Sequence, residues 1–257
     1  MYSIDLSGKK GVVVGVANER SIAWGIASIL SQAGARLALT YQNDRVKDRV
    51  ARLAESLDGA LTIPCDATDD AQIEDVFNRV REEFGDISFL VHSIAFAQRE
   101  DLSGRFSDTS RDGFHIALEV SAYSLLPLVR HAAALMPDGG SVVTMTFQAS
   151  QRVYPGYNVM GTAKAALEHS VRQLAAEFGG QNIRVNAISA GPLETLASRG
   201  IDGFRDMKRL HAQTAPLKRN ISMEEVAKTA LFLCSDLSSG ITGSIILVDA
   251  GYHIMAV

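Results

Sequence analysis

Short apolar runs alternate with longer amphipathic stretches along this chain, and that rhythm restricts its fold more than any other feature. Val12-Val13-Val14 ends at Gly15, and after the polar interval Asn18-Glu19-Arg20 a helical pattern runs from Ser21 to Gly34, with Ile22, Ile26, Ile29 and Leu30 at helical spacing. Ser21 is placed to cap this helix and Gly34 to end it. Leu37-Ala38-Leu39-Thr40-Tyr41 is a second strand, which completes a βαβ unit. The pattern then repeats: a charged helix over 44–57, a strand over 61–65, a helix over 70–84, a strand over 89–92, a helix over 111–135 and a strand over 141–146. A helix over 157–178 and a strand over 183–188 follow, and the chain closes with a helix over 222–234, a strand over 245–248 and an apolar tail. Strands this uniformly apolar are covered on both faces, so the chain predicts an α/β fold: a doubly wound parallel sheet of about seven strands between helical layers. No low-complexity linker interrupts it, and residues 1–257 read as a single domain.

Composition narrows the function. The chain is 47% hydrophobic and 21% charged, as expected of a globular protein, and its net charge is -4. Basic residues cluster no further than pairs such as Lys9-Lys10 and Lys218-Arg219, which argues against nucleic acid or an anionic membrane as partner. Cys65 and Cys234 lie in apolar segments without a Cys or His at ligand spacing, and the six histidines show no metal pattern, so no metal is expected. The first ten residues carry Asp5, Lys9 and Lys10 and lack an apolar leader core, and no uncharged apolar run reaches the ~18 residues of a membrane span. The expectation is a cytoplasmic protein.

From Gly191-Pro192 the rhythm breaks. Residues 193–213 contain Gly200, Gly203, scattered apolar residues and the basic trio Arg205, Lys208 and Arg209. An insertion between the last strands of such a sheet lies at its carboxyl edge, where ligands bind, so this segment reads as a helical lid over a substrate.

Tyr157-Asn158-Val159-Met160-Gly161-Thr162-Ala163-Lys164 opens a long helical pattern directly after Tyr154-Pro155-Gly156. Seven residues are close to two helical turns, so Tyr157 and Lys164 project from one face. An ammonium near a phenol favours the phenolate and lowers a pKa that ordinarily lies near ~10. Such a pair can present a hydrogen-bond donor to an oxygen that gains negative charge during reaction.

A glycine turn between a first strand and helix gathers backbone N–H groups and the positive end of the helix at one point, which suits a pyrophosphate. The three-glycine fingerprint is absent, since Val16 follows Gly15 and the next glycine is Gly25, so Gly15 also fits a simple tight turn. At the end of the second strand stand Gln42 and Asn43, with Arg45 the first cation; a neutral residue there favours NADH over NADPH. Asp66-Ala67 and His92-Ser93-Ile94-Ala95 end strands at the same edge, where they frame the adenine and the nicotinamide ribose; Asp66 equally suits a helix cap.

These features together, with Asn186-Ala187-Ile188-Ser189-Ala190-Gly191-Pro192 after the sixth strand, resemble the short-chain dehydrogenase/reductase superfamily, whose sheet is Rossmann-like. Most of that superfamily spaces its Tyr and Lys three residues apart; six intervening residues resemble the enoyl-[acyl-carrier-protein] reductases. Gly15-Val16-Ala17 with Ser21-Ile22-Ala23, Thr40-Tyr41-Gln42, Val91-His92-Ser93-Ile94-Ala95-Phe96-Ala97, Tyr157-Asn158-Val159-Met160-Gly161 and Phe232-Leu233-Cys234-Ser235-Asp236-Leu237 look like that family across essentially the whole chain.

The resemblance implies NADH-dependent reduction of a trans-2-enoyl thioester, on acyl carrier protein or coenzyme A, as the last step of fatty-acid elongation. It implies Tyr157 as proton donor and Lys164 as holder of the ribose hydroxyls. Cofactor contacts are implied for Gly15, Ser21, Ile22, Gln42, Asp66, Ala67, Ser93, Ile94, Ala95, Leu193, Glu194, Thr195, Leu196 and Ala197. An acyl pocket is implied of Ala97, Phe147, Tyr157, Met160, Ala197, Ile201, Phe204 and Met207. Arg205, Lys208 and Arg209 either meet the acidic carrier or form a solvated helix face. The family is commonly a homotetramer, and the apolar tail Ile254-Met255-Ala256-Val257 suits burial between subunits.

Two positions depart from the family pattern. Phe147 stands where a second tyrosine is usual, ten residues before Tyr157, and Glu194 stands where a basic residue is usual. Two rivals remain open on sequence. One is a carbonyl reductase or alcohol dehydrogenase of the same fold, for which Thr144 stands thirteen residues before Tyr157 where a serine is common; the other is a dinucleotide-binding sensor without turnover.

Overall fold

The computed structural model describes residues 4–256, with Arg199 described by its backbone alone. Its strands are β1 (Lys10–Val14), β2 (Arg36–Tyr41), β3 (Leu61–Pro64), β4 (Phe89–His92), β5 (Gly140–Thr146), β6 (Ile183–Ala190) and β7 (Ile245–Val248). They form one sheet in the order β3-β2-β1-β4-β5-β6-β7, every pair parallel. The chain begins in the middle, winds outward through β2 and β3, then crosses back to lay β4 on the other side of β1. Between β1 and β4 the winding reverses, and the crevice at their carboxyl ends is where such sheets bind ligands.

The helices are α1 (Ile22–Gln32), α2 (Asp44–Ala54), α3 (Asp70–Phe84), α4 (Arg111–Leu118), α5 (Leu125–Ala133), α6 (Asn158–Phe178), α7 (Phe204–Thr214) and α8 (Met223–Cys234). Successive strand residues point to opposite faces. Val13, Leu39 and Ile188 therefore pack with α1, α2 and α8, while Val12, Val14, Leu90 and Val185 pack with α3, α5 and α6. Two apolar cores result, and fully buried Phe77 and Leu128 each contribute roughly 1.5–3 kcal/mol of burial.

One expected element is interrupted. The single helix read over 111–135 divides into α4, a π-helical segment Glu119–Tyr123, and α5. Pro127 is the physical reason: it has no N–H to offer the carbonyl of Tyr123 four residues back, and its ring crowds that carbonyl. The backbone widens instead, and Ser124 N–H donates to Glu119 O at 3.0 Å. This register turns Ser121 and Ser124 inward. Ser121 Oγ accepts from Phe96 N–H and donates to Phe96 O, and Ser124 Oγ meets His92 Nε2 at 2.9 Å. The bulge thus anchors the loop that leaves β4.

Helix α8, which packs against α1, begins in a full capping box: Ser222 Oγ accepts from Glu225 N–H, and Glu225 Oε2 accepts from Ser222 N–H at 2.8 Å. Arg219 grips the same carboxylate, and these hydrogen bonds hold the Glu225 pKa at about 2. Replacing Ser222 by alanine removes one half of the box. The expected cost is about 1 kcal/mol, read as a fall of roughly 2–4 °C in melting temperature with unchanged secondary structure.

Candidate active site

Gly15 leaves β1 with φ +99°, and a Cβ there would lie 2.4 Å from Ser93 O and 2.6 Å from Ile94 Cγ2. Only glycine lets the loops after β1 and β4 approach this closely. Val16 N–H donates to Thr40 O, and Ser93 N–H donates to Val14 O, so three strand ends are tied together at one spot.

Ser21 occupies the N-cap position of α1 but does not cap it. Its hydroxyl donates to Asn18 O at 2.7 Å, turning away from the helix, which corrects the expectation drawn from its position. The first-turn N–H groups of α1, beginning with Ile22, are left without a side-chain acceptor, as an anion site requires. Gln42 is exposed at the end of β2. Asp66 is not a helix cap either: its Oδ1 accepts from Thr68 N–H and Oγ1, while Asp69 caps α3 by accepting from Ala71 and Gln72. Asp66 and Ala67 stay half-buried at the sheet edge.

Tyr157 stands at the N-cap of α6, and Lys164 lies two turns on, 4% exposed, with Nζ donating to Met145 O at 2.8 Å. Gly161 brings the helix this close; a Cβ there would come within 2.8 Å of Ala149 O. Burial pushes the Tyr157 phenol above its ordinary value and brings Lys164 down to about 8, with Glu168 opposing that fall. The expected lowering of the tyrosine pKa by the ammonium is therefore not found. The lysine is engaged by a main-chain carbonyl and the half-buried phenol packs into apolar surroundings, so Tyr157 keeps its proton.

Ala97, Leu102, Leu118, Tyr157, Met160 and Ala163 pack into one small apolar cluster. Asn158, at φ +21°, directs its amide to Ser103 O and Gly104 O, fastening the loop before α4 to the start of α6. The Phe147 ring lies 5.0 Å from Tyr157 and 4.7 Å from Tyr154, while the Tyr154 hydroxyl donates to Gln148 Oε1 at 2.6 Å. Neither neighbour offers a free phenol beside Tyr157.

A cavity of about 560 Å³ adjoins this group, lined by Phe147, Tyr154, Pro192, Met207, His211 and Tyr252 among others. Of the expected acyl-pocket residues, Phe147 and Met207 reach its wall; Ala97, Tyr157 and Met160 belong to the apolar cluster, and Ala197, Ile201 and Phe204 lie along the lid segment. The segment read from sequence as a lid consists of Leu193 to Leu196 without regular structure, a 3-10 turn Ala197–Gly200, and α7. Glu194 pairs with Lys208, and Arg209 with Asp206 at 2.9 Å, so two of the trio Arg205, Lys208 and Arg209 are paired within this same segment.

Thr144 is fully buried, 2.8 Å from His92 Nδ1, so its hydroxyl is engaged by a core histidine. That removes the sequence argument for a carbonyl reductase. Sequence reasoning passed over Glu168, which the structure buries one turn beyond Lys164; its spacing on the same helix face was the available signal. Among the described residues no group of three His, Cys, Asp or Glu is arranged to hold a metal ion, and no helix is long and apolar enough to cross a membrane.

A family model described as enoyl-(acyl carrier protein) reductase matches residues 15–253. The chain is 52% identical over 248 residues to an NADH enoyl-[acyl-carrier-protein] reductase of Rhizobium meliloti, covering 96% of this chain and 91% of the relative. A Bacillus cereus enoyl-acyl carrier protein reductase, crystallised with NADP+ and an indole naphthyridinone, superposes with a TM-score of 0.96 at 49% identity, over 98% of this chain and 99% of that one. The Anaplasma phagocytophilum enzyme in complex with NAD superposes with a TM-score of 0.93 at 43% identity, over 98% and 94% of the two chains. Sequence, sheet topology and the seven-residue interval from Tyr157 to Lys164 agree: this chain belongs to the enoyl-[acyl-carrier-protein] reductase family.

Proposed function

We propose that this protein reduces trans-2-enoyl thioesters carried on acyl carrier protein, or on coenzyme A, to the saturated acyl thioesters with NADH, closing the fatty-acid elongation cycle. The observation that carries this reading is the placement of Tyr157 at the N-cap of α6 with buried Lys164 two turns behind it on the same helix. The crevice fits a dinucleotide: the close approach at Gly15 and the uncapped start of α1 suit a pyrophosphate, and neutral, exposed Gln42 suits a ribose without a phosphate. Ser21, Ile22, Asp66, Ala67, Ser93, Ile94, Ala95 and the stretch from Leu193 to Ala197 border the same edge and would complete the dinucleotide site.

The chemistry a bound nicotinamide supplies is a hydride for the β-carbon of the enoyl group. Charge then gathers on the thioester oxygen, and Tyr157 donates a hydrogen bond, then its proton, giving an enol. The enol becomes the saturated thioester when Cα takes a proton from water and the oxygen returns its proton to the phenolate. Burial, by keeping the phenol protonated at neutral pH, preserves the donor. Lys164 would hold the ribose hydroxyls of the bound cofactor and supply positive charge behind the phenol. Ala97, Met160 and Phe147 bound the acyl chain on the sheet side, and Ala197, Ile201, Phe204 and Met207 bound it on the lid side, excluding water from the reacting oxygen.

The chain acts as one domain in the cytoplasm, as a homotetramer. Supporting the assembly, Tyr123 just before α5, Leu126 in its first turn, Leu247 on edge strand β7 and Ile254 near the end of the chain are exposed apolar side chains. Val257, the end of the expected apolar tail, lies outside the described residues. Equilibrium sedimentation at micromolar concentration is expected to give four times the 27.6 kDa chain mass; a monomer would reject the assembly.

Tyr157→Phe is expected to lower kcat for a crotonyl thioester by roughly 10²-fold or more while NADH affinity is retained, the size of loss typical of a missing oxyanion donor. Undiminished turnover would remove Tyr157 from the mechanism. Phe147→Tyr places a second hydroxyl beside Tyr157 and is expected to change KM for the thioester; steady-state constants equal to the parent's would show that position 147 does not touch the substrate.

A further inference from the structure

Helix α6 buries a second ionisable group that the mechanism above does not use. Glu168 is 3% exposed and lies four residues after Lys164, one turn along the same face. Its Oε1 accepts hydrogen bonds from Thr146 Oγ1 at 2.9 Å and from Ser150 Oγ at 2.6 Å. Lys164 Nζ is held by Met145 O, so consecutive residues of β5 hold the ammonium and the carboxylate, each by its own partner. A carboxylate this deeply buried is costly unless donors and opposite charge compensate it, and a buried ammonium has the same need.

The surroundings of Lys164 contain no competing negative charge among the groups that face it. From β4 comes His92, kept neutral because burial, reinforced by Lys164, drives its pKa down to about 3. Thr144 and Thr146 from β5 and Ser150 from the following turn are uncharged. On α6 itself stand the neutral Tyr157 phenol and Glu168, while Arg172, one turn further on, is exposed and donates to the Glu168 main-chain carbonyl.

We propose that Glu168 is a positioning residue for the reduction: its buried carboxylate keeps Lys164 in the ammonium form at neutral pH and so sets the alkaline limit of activity. The proposal rests on the role given to Lys164 above. Burial drives Lys164 down from its ordinary value and Glu168 acts against that fall, so that the balance of the two lies at about 8. Removing the Glu168 charge lowers the lysine value further. The ammonium is then lost at lower pH, and the alkaline limb of the activity profile moves toward acid.

The test measures kcat/KM for crotonyl-CoA with NADH across roughly pH 5 to 10 in the parent, Glu168→Gln and Glu168→Asp, each checked for folding by thermal melting. The alkaline limb of Glu168→Gln is expected to move down by about one pH unit or more, a tenfold loss on that limb that is recovered on acidification. Glu168→Asp, which keeps the charge, is expected to retain the parent limb. An unmoved limb in folded Glu168→Gln, or an equal, pH-independent loss in both variants, would overturn the proposal and leave Glu168 a structural group. NMR titration of the Lys164 ammonium in the parent, assigned with Lys164→Arg, needs no Glu168 variant to fold. A midpoint near 8 is expected, and one well below 7 would contradict the proposal. NADH affinity, read from quenching of Trp24, the one tryptophan, should follow the same limb without thioester. Parent protein that binds NADH but reduces no enoyl thioester would therefore defeat the proposed function separately from this inference.

Discussion

The close packing of α6 against the end of β5 is the constraint on which the site depends. Gly161 lets the helix lie against the Ala149 carbonyl, Ala163 is fully buried, and Lys164 enters the core to meet Met145 O. That contact fixes the rotation of α6, and the rotation fixes where Tyr157 points. The same packing places Glu168 beside Thr146 and Ser150, so the turn bearing Gln148, which accepts the Tyr154 hydroxyl, is fastened to the same helix. A looser helix would give each of these groups water in place of its partner, and the low-dielectric setting that sharpens their interactions would be lost.

Burial, rather than pairing, dominates the electrostatics. The phenol is pushed up and the lysine pushed down, so both are displaced toward their neutral forms, with Glu168 opposing the displacement at the lysine. Stabilising a developing oxyanion calls for a donor that still carries its proton, and a desolvated phenol meets that need better than a phenolate would. His92, the other buried base nearby, is neutral and locked between Thr144 and Ser124, which leaves Tyr157 as the donor facing the cluster formed with Ala97 and Met160.

The fold was largely legible because its strands are apolar on both faces and its helices on one, so the seven strands could be read from periodicity alone. The interruption at residues 119–123 was not: its cause, Pro127, lies four residues downstream in a stretch whose apolar pattern continues undisturbed. The placement of Tyr157 and Lys164 two turns apart on one helix was legible from spacing, but their proton affinities were not, since desolvation depends on packing that spacing does not encode. Ser21 and Asp66 show the same limit on a smaller scale. Both occupy positions suited to capping, yet the Asn18 carbonyl draws away the Ser21 hydroxyl, and Asp69 caps α3 in place of Asp66. Thr144 stood at a suggestive distance in sequence and proved to be a core residue, bonded to a histidine that no short-range pattern connects with it.

The central claim is that the phenol of Tyr157 answers charge on a thioester oxygen after hydride reaches the β-carbon, and not charge on a ketone. The most direct measurement offers the purified protein and NADH a matched pair of substrates, a trans-2-enoyl thioester and the 3-oxoacyl thioester of the same chain length, and follows NADH consumption with identification of the product. The account predicts a saturated acyl thioester from the first and no hydroxyacyl thioester from the second. Reduction of the ketone with the enoyl thioester untouched would contradict it and return the chain's chemistry to carbonyl reduction on the same fold.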